Sequence, residues 1–331
     1  MASNIEEIAK MAGVSKTTVS MVMNGKAAQY GINQETAEKI KKIAQKFHYV
    51  PNNMARGLRL QRIDAFGLIV PDLNNWFFSQ LAHSLENVLR KKGFRLYVTS
   101  SHYDEEAEYK NINDLISWHV DGLIVASVMR QDKITKEFSS LKIPVVYVDR
   151  IIESEKISWI SSDNFQGAYD LVSYLCSKGV KEVYYLGGER TVSTLMNRVN
   201  GYKKALEDHK IPYRSEYVFE KGSTPDDAYE LMKIVYKKCR GFPEAMFLAS
   251  CDYMTGILRF FKETNDAKIP PKFLVGTFDN EPLLDFLSVK IPSVQQDTEA
   301  MAEAAVSIIE QVQQGVKDVK PVLVKPKLII R

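Results

Sequence analysis

The stretch Ile5-Glu6-Glu7-Ile8-Ala9-Lys10-Met11-Ala12-Gly13-Val14-Ser15-Lys16-Thr17-Thr18-Val19-Ser20-Met21-Val22-Met23 sets the architecture of the N-terminal region. Ile5, Ile8, Ala9 and Ala12 recur at helical spacing and predict a short amphipathic helix. Gly13 supplies the positive φ of a tight turn. Ser15 is the expected N-cap of a second helix over Lys16–Met23, with Val19, Val22 and Met23 facing inward, and Asn24-Gly25 ends it. Two short helices joined by a glycine turn, the second rich in small polar residues, form the helix-turn-helix pattern. Its exposed face carries Lys16, Thr17, Ser20 and Met21. Lys16 suits guanine O6 and N7, Thr17 a base edge or a phosphate, and Met21 a thymine methyl. Ser15, Thr18 and Asn24 are placed for phosphate oxygens, where short donors fix register. A three-helix bundle that binds protein is the competing reading of the same spacing.

Asn33 predicts the cap of a third helix, with Ala37, Ile40, Ala44 and Phe47 as its apolar stripe. Charge favours the nucleic-acid reading. Residues 1–62 hold ten Lys/Arg and four acids, a balance of +6, whereas the remainder holds 34 and 37, a balance of −3. A basic head on a mildly acidic body implies an anionic partner for the head alone. The segment Tyr49-Val50-Pro51-Asn52-Asn53-Met54-Ala55-Arg56-Gly57-Leu58-Arg59 comes next. Pro51 suits a first helical turn, but so short a piece containing Gly57 does not hold a helix unaided. Helical only when docked, it couples head to body. Residues Asn4 to Ser20, together with Tyr49-x-Pro51-Asn52-x-x-Ala55-Arg56-x-Leu58, resemble the LacI/GalR family of bacterial transcription regulators. The resemblance implies that Asn52, Ala55, Arg56 and Leu58 belong to a hinge on the DNA. There Leu58 and its dimer mate wedge into the minor groove at the operator centre and kink it.

Beyond Ile63 the pattern changes to β/α alternation. Predicted strands are Phe66–Val70, Arg95–Ser100, Gly122–Ser127, Val145–Asp149, Val183–Gly187, Ala245–Ser250 and Phe273–Phe278; Phe78–Lys92, Gly167–Lys178 and Asp226–Lys238 are among the predicted helices. Short apolar strands separated by helices imply parallel sheets covered on both faces. The segment is too long for one such sheet, so two α/β lobes are expected. Ligands of these folds sit beyond the carboxyl ends of the strands. Asp72, Asn74, Ser127, Asp149, Arg150, Asp252 and Phe278 with Asp279 fall there, and Trp76, Phe77 and Phe78 are close by. Carboxylates and guanidinium forks pair sugar hydroxyls, and aromatic faces cover C–H patches.

Other classes fit poorly. Gly187-Gly188 is not a dinucleotide fingerprint, no phosphate-loop, HExxH or GxSxG motif occurs, and the five histidines are scattered. Neither catalysis, a cofactor nor a metal is expected. The longest apolar run, Phe66 to Pro71, is of strand length, which excludes a membrane span. The N-terminus lacks a basic region followed by an apolar one, which opposes secretion and hence an exported solute-binding protein. Cys176, Cys239 and Cys251 form no CxxC pair, as expected in a reducing cytoplasm.

The family resemblance extends through the body. Phe66 to Asp72, Asp121 to Val125, Val146 to Arg150, Arg198 to Tyr202 and Gly276 to Asp279 look like family signatures. Asn24 to Tyr30 and Leu283 to Leu287 resemble its fructose-repressor branch. Leu186 to Gly188, Gly122 to Ser127 and Val294 to Asp297 resemble its sucrose-repressor branch. Both branches imply an effector of the fructose or fructose-phosphate type; sucrose or sucrose 6-phosphate, or a sugar-processing enzyme, are the alternatives. By resemblance Asp149, Arg150, Arg198 and Asp279 are the effector ligands, and Arg150 with Arg198 clamp a phosphate if the sugar carries one. Met21 departs from the arginine many members have there, so operator rules of other branches do not transfer. No heptad helix comes after Lys327–Ile330, so a homodimer on a palindromic operator is expected. The expected division is a helix-turn-helix domain at 1–49, a hinge at 50–62 and an effector-binding body at 63–331. The body's N-lobe is expected from about 63–161 and 293–320, and its C-lobe from about 162–292 and 321–331.

Overall fold

A computed structural model describes residues 4–49, 63–130, 133, 141, 143–151, 158–188, 192–220, 224–264, 268–270, 272–316 and 319–331. The chain forms two compact units, Met1–Ile63 and Asp64–Arg331. The hinge residues Asn52, Ala55, Arg56 and Leu58 lie outside the described residues.

The first unit contains α1 (Ile5–Ala12), α2 (Lys16–Met23) and α3 (Gln34–Lys46), with a 3-10 turn at Ala28–Tyr30. Each helix starts on a side chain that accepts an otherwise free N–H: Asn4 from Glu7, Ser15 from Thr18 and Asn33 from Thr36. Gly13 turns the chain at φ +71°. Ile8, Ala9, Ala12, Val19, Val22, Ala37 and Ile40 form the core. Phe47 departs from its expected place in the stripe. The helix ends at Lys46, His48 reverses the chain at φ +49°, and Phe47 is left 39% exposed. Ile43 and Tyr49 pack on that core.

The second unit is built from β1 (Ala65–Val70), α4 (Trp76–Lys91), β2 (Arg95–Ser100), α5 (Glu105–Ser117), β3 (Gly122–Val125), β4 (Val145–Val148), β5 (Trp159–Ser162), α6 (Asn164–Cys176), β6 (Tyr184–Gly187), α7 (Ser193–Asp208), β7 (Val218–Glu220), α8 (Pro225–Cys239), β8 (Ala245–Leu248), α9 (Asp252–Thr264), β9 (Leu274–Phe278), β10 (Ser293–Gln295), α10 (Thr298–Gln313), β11 (Val322–Val324) and β12 (Lys327–Ile329). Two six-stranded sheets result, ordered β11-β5-β4-β3-β1-β2 and β12-β10-β9-β8-β6-β7. Every pairing is parallel except β10 with β12.

The chain crosses between lobes after β5, after β10 and after β11. This shifts two expected lobe boundaries. Ser293–Gln295 pairs with β9 in the second sheet, not the first, and Val322–Val324 pairs with β5 in the first, not the second. The reason is hydrogen bonding across the sheet, which segments of three residues do not announce by periodicity. β5, β7, β10 and β11 are likewise invisible to the alternation of apolar runs. Helix starts move by a cap: α4 opens at Trp76 because Asn75 Oδ1 accepts from Phe78 N at 3.3 Å.

Phe66, Leu68, Val70, Ile124, Val146 and Ile160 of the first sheet are covered by Leu81 and Leu85 of α4 and Ala302 and Val306 of α10. Full burial of one such large apolar side chain is worth roughly 1.5–3 kcal/mol. The second lobe packs Tyr185, Phe247, Val275 and Phe278 against Leu171, Tyr202, Met232 and Phe261. No helix among the described residues is long and apolar enough to cross a membrane.

Candidate functional site

In the head, α2 is held by its caps with its polar face turned out. Lys16 and Thr17 are exposed, while Thr18, Ser20, Met21 and Asn24 are half-buried. Lys16 Nζ donates to the Glu6 carboxylate, which lowers the proton affinity of Glu6. Ser15 accepts from Thr18 N at 3.1 Å and shares a hydrogen bond with the Thr18 hydroxyl. Asn24 Nδ2 donates back to Ser20 O at 2.6 Å, which closes the end of the helix. The face thus presents one cation and a row of short hydroxyls on a rigid helix.

In the body, a cavity of about 330 Å³ lies between the lobes at the carboxyl ends of the strands, within the size range of small-molecule sites. Of the residues expected there, Phe77, Asp149, Arg150, Arg198, Asp252 and Asp279 line it. Asp149 and Asp279 directly follow β4 and β9, both in left-handed backbone, at φ +72° and +71°. Such a conformation is uncommon outside glycine and turns each carboxylate off its strand. Arg198 projects from α7, donating from Nε to Asn164 Oδ1 at 2.8 Å and from Nη1 to Ala249 O at 2.5 Å. Its guanidinium lies 3.6 Å above the centre of the Phe278 ring. Arg150, by contrast, donates from its side chain to no group among the described residues, although Asp149 and Glu108 face it electrostatically.

Four expected residues, Asp72, Asn74, Ser127 and Phe278, are absent from the cavity lining, and the Phe278 ring is buried beneath Arg198. Asp72 Oδ1 accepts from Asn74 N at 2.9 Å and from Asn74 Nδ2 at 3.1 Å, which folds the pair into a turn with Asn74 exposed. Ser127 is buried, donating to Glu108 Oε1 at 2.5 Å and accepting from Met129 N at 3.1 Å. Asn75, Tyr103, Thr194, Ser250 and Gln296 line the cavity without having been expected there. The Asn75 cap is readable from its place before an apolar helix. Nothing local marks Gln296, which donates to Asp279 Oδ1 at 2.6 Å and leaves Oε1 buried without a partner among the described residues.

Two side chains of the first lobe grip the second. Asn75 Nδ2 donates to Asp252 Oδ2 at 2.5 Å, and Trp76 Nε1 donates to Asn280 O at 3.1 Å.

Burial pushes Asp149 up to about 6, against the pull of Arg198 and Arg150. Burial with help from Asp279 pushes Asp252 up to about 6, and burial raises Asp279 also. The folded protein therefore holds these protons more tightly than the unfolded chain. The stability they contribute is full below the ordinary value of 3.8 and is lost as pH rises to about 6. Between pH 5 and 7 the wild type is expected to lose more stability than an Asp149→Asn/Asp252→Asn protein, by up to about 1.4 kcal/mol per pH unit per group. Urea unfolding at both pH values measures the difference, and a double variant that loses as much or more would reject the assignment.

Residues 63–279 match the family of periplasmic binding proteins and the sugar-binding domain of the LacI family. Residues 4–52 match the bacterial regulatory proteins of the lacI family. The sucrose operon repressor of Klebsiella pneumoniae is 32% identical over 311 residues, covering 94% of this chain and 92% of that protein. The catabolite repressor/activator of Escherichia coli (strain K12) is 29% identical over 306 residues, 92% of this chain and 90% of that one. The lac repressor dimer bound to operator and the anti-inducer ONPF superposes with a TM-score of 0.84 at 20% identity, covering 99% and 98% of the two chains. The Cra regulator of Pseudomonas putida in complex with fructose 1-phosphate gives 0.73 at 21% identity, covering 81% and 98%. At those identities the two structures speak to the fold alone. With the family models spanning both the head and most of the body, the chain belongs to the LacI family of bacterial regulatory proteins.

Proposed function

We propose that this LacI-family regulator acts in the cytoplasm as a homodimer, gripping a palindromic operator of carbohydrate-utilisation genes under the control of a fructose-type sugar in the interlobe cavity. The head supports the DNA reading through Lys16 and Thr17 on the outer face of α2. The single observation that carries the effector reading is the half-buried Arg150, whose guanidinium bonds to none of the described residues and lies in one cavity with acceptors at Asp149 and Gln296 Oε1. Carboxylate and amide oxygens take hydroxyl donors, and a free guanidinium seats a phosphate. Arg198 has already spent Nε and Nη1, so the phosphate seat we assign is Arg150 with only the remaining edge of Arg198. This favours a fructose phosphate over free fructose; sucrose or sucrose 6-phosphate is the second reading, resting on the similarity to the sucrose operon repressor. For the dimer we assign the edge strand β2, where Tyr97 is 38% exposed and stacks edge-on with Trp118, because unpaired edges of this kind seek a partner.

The test starts by selecting duplexes from a random-sequence pool with the full chain. A palindrome is expected, bound with an affinity that falls with salt at a log–log slope of about −0.9 per neutralised phosphate. Fructose 1-phosphate should then change operator affinity by about 5–150-fold, the range of a coupling of 1–3 kcal/mol. Arg150→Gln should remove that response while sparing DNA binding. A pool without a palindrome, or a flat salt dependence, sinks the regulator reading. An undiminished response of Arg150→Gln sinks the phosphate seat.

A further inference from the structure

Arg331 lines no part of the cavity, yet its guanidinium is bonded at four points to the connection that follows Asp279, a residue that does line it. The antiparallel register of β12 on β10, with Ile329 opposite Ser293, carries Arg331 back alongside Ile291. There Nη1 donates to Ile291 O and to Ser293 Oγ, each at 2.9 Å, Nη2 donates to Asn280 Oδ1, and Nε donates to Asp285 Oδ1 at 2.6 Å. One planar guanidinium therefore ties both limbs of the connection between β9 and β10. Ser293 Oγ closes the ring by donating to Asn280 Oδ1 at 2.8 Å.

Asn280 is the residue that matters. It comes directly after Asp279, whose left-handed backbone aims a carboxylate into the cavity. Its carbonyl is the acceptor for Trp76 Nε1, from the first turn of α4 in the opposite lobe. We propose that Arg331 is a positioning residue of the effector site: by clamping Asn280 it fixes Asp279 and keeps the Asn280 carbonyl under the Trp76 indole, so that the two lobes meet around the sugar in one arrangement. A fork with fixed geometry does this where a lysine cannot, since three donors must reach four acceptors at set angles. The proposal rests on the reading of the cavity as the effector site, and its test separates the two.

In the full chain, Arg331→Ala and Trp76→Phe are each expected to weaken fructose 1-phosphate binding by about five- to tenfold, the size of one lost hydrogen bond. The double variant should be no weaker than Arg331→Ala, because the clamp acts through the same bond. Arg331→Lys should recover little, and Asp285→Asn, which removes only the charge of the exposed partner and keeps an Oδ1 acceptor for Nε, should leave affinity unchanged. Multiplying losses in the double variant, or full rescue by lysine, would overturn the proposal. A second readout needs no sugar. With Trp118 and Trp159 replaced by phenylalanine, Trp76 is the single tryptophan left. Arg331→Ala should then make its fluorescence more quenchable by acrylamide, with Asp285→Asn as the control. Unchanged quenching overturns the clamp. A wild type that binds no sugar, with quenching raised as expected, overturns the effector reading instead.

Discussion

Arg198→Met is expected to destabilise the body by about 3–5 kcal/mol at pH 7 and to abolish the effector response. Arg198 is buried, and its loss orphans two acceptors, Asn164 Oδ1 and Ala249 O. It also removes the larger of the two positive charges that hold down the proton affinity of Asp149, and the one that does so for Asp279. Two buried carboxylates would then face each other with only the weaker pull of Arg150 on Asp149. Neutralising them relieves the loss, so the destabilisation should shrink as pH falls to 5. Arg198→Lys restores charge but not the paired donors or the flat face over Phe278, and should lie between. All three tryptophans, Trp76, Trp118 and Trp159, belong to the body, so fluorescence-monitored urea unfolding reads this unit. A cost below about 1 kcal/mol, or one that grows toward pH 5, would show that Arg198 is not the counter-charge.

Gly201→Ala should be nearly as damaging, for a steric reason. Gly201 lies on α7 where it crosses α6, and a Cβ there would stand 2.3 Å from the Phe165 carbonyl oxygen and 2.9 Å from Tyr169 N. Those are backbone atoms, so relief requires the two helices to part. Overpacking of this kind costs about 1–3 kcal/mol and sometimes more, which for a unit of this size lowers Tm by several degrees. Function should suffer as well. Arg198 sits three residues earlier on α7, and its Nε partner Asn164 is the first residue of α6. Parting the helices stretches that bond, so effector affinity should fall together with Tm. A variant with unchanged Tm would mean that the helices separate freely. Gly256 plays the same part between α8 and α9, with Pro225 O 2.0 Å from a built Cβ.

How much of the molecule is legible in its sequence depends on the range of the forces involved. The head is readable because everything that shapes it acts within a turn or two of helix. Asn4, Ser15 and Asn33 cap α1, α2 and α3, and Ile8, Val19 and Ile40 recur at the spacing that buries them. Long apolar strands such as Ala65–Val70 are readable for a similar reason, and so is the location of Asp149, Asp252 and Asp279 at their ends. The short strands that no apolar run announces, such as Ser293–Gln295, owe their existence to neighbours already in the sheet. Ser127 lies away from its expected place because nothing near it reveals Glu108, which reaches it from α5.

Local spacing thus suffices for the class of protein: a DNA-reading head, a two-lobed parallel α/β body and a row of polar residues at the strand ends. Caps, periodicity and charge are short-range properties, written wherever they act. Only the tertiary structure decided which polar groups are spent and which stay open. Asp72 Oδ1 is taken up by its own turn and Arg198 Nε and Nη1 by Asn164 and Ala249, while Arg150 and Gln296 Oε1 keep their capacity among the described residues. It alone also brings Trp76 to Asn280 and Arg331 to the same residue. The first bond exists only once two separate sheets have folded and met, and the second only once β12 has paired antiparallel with β10.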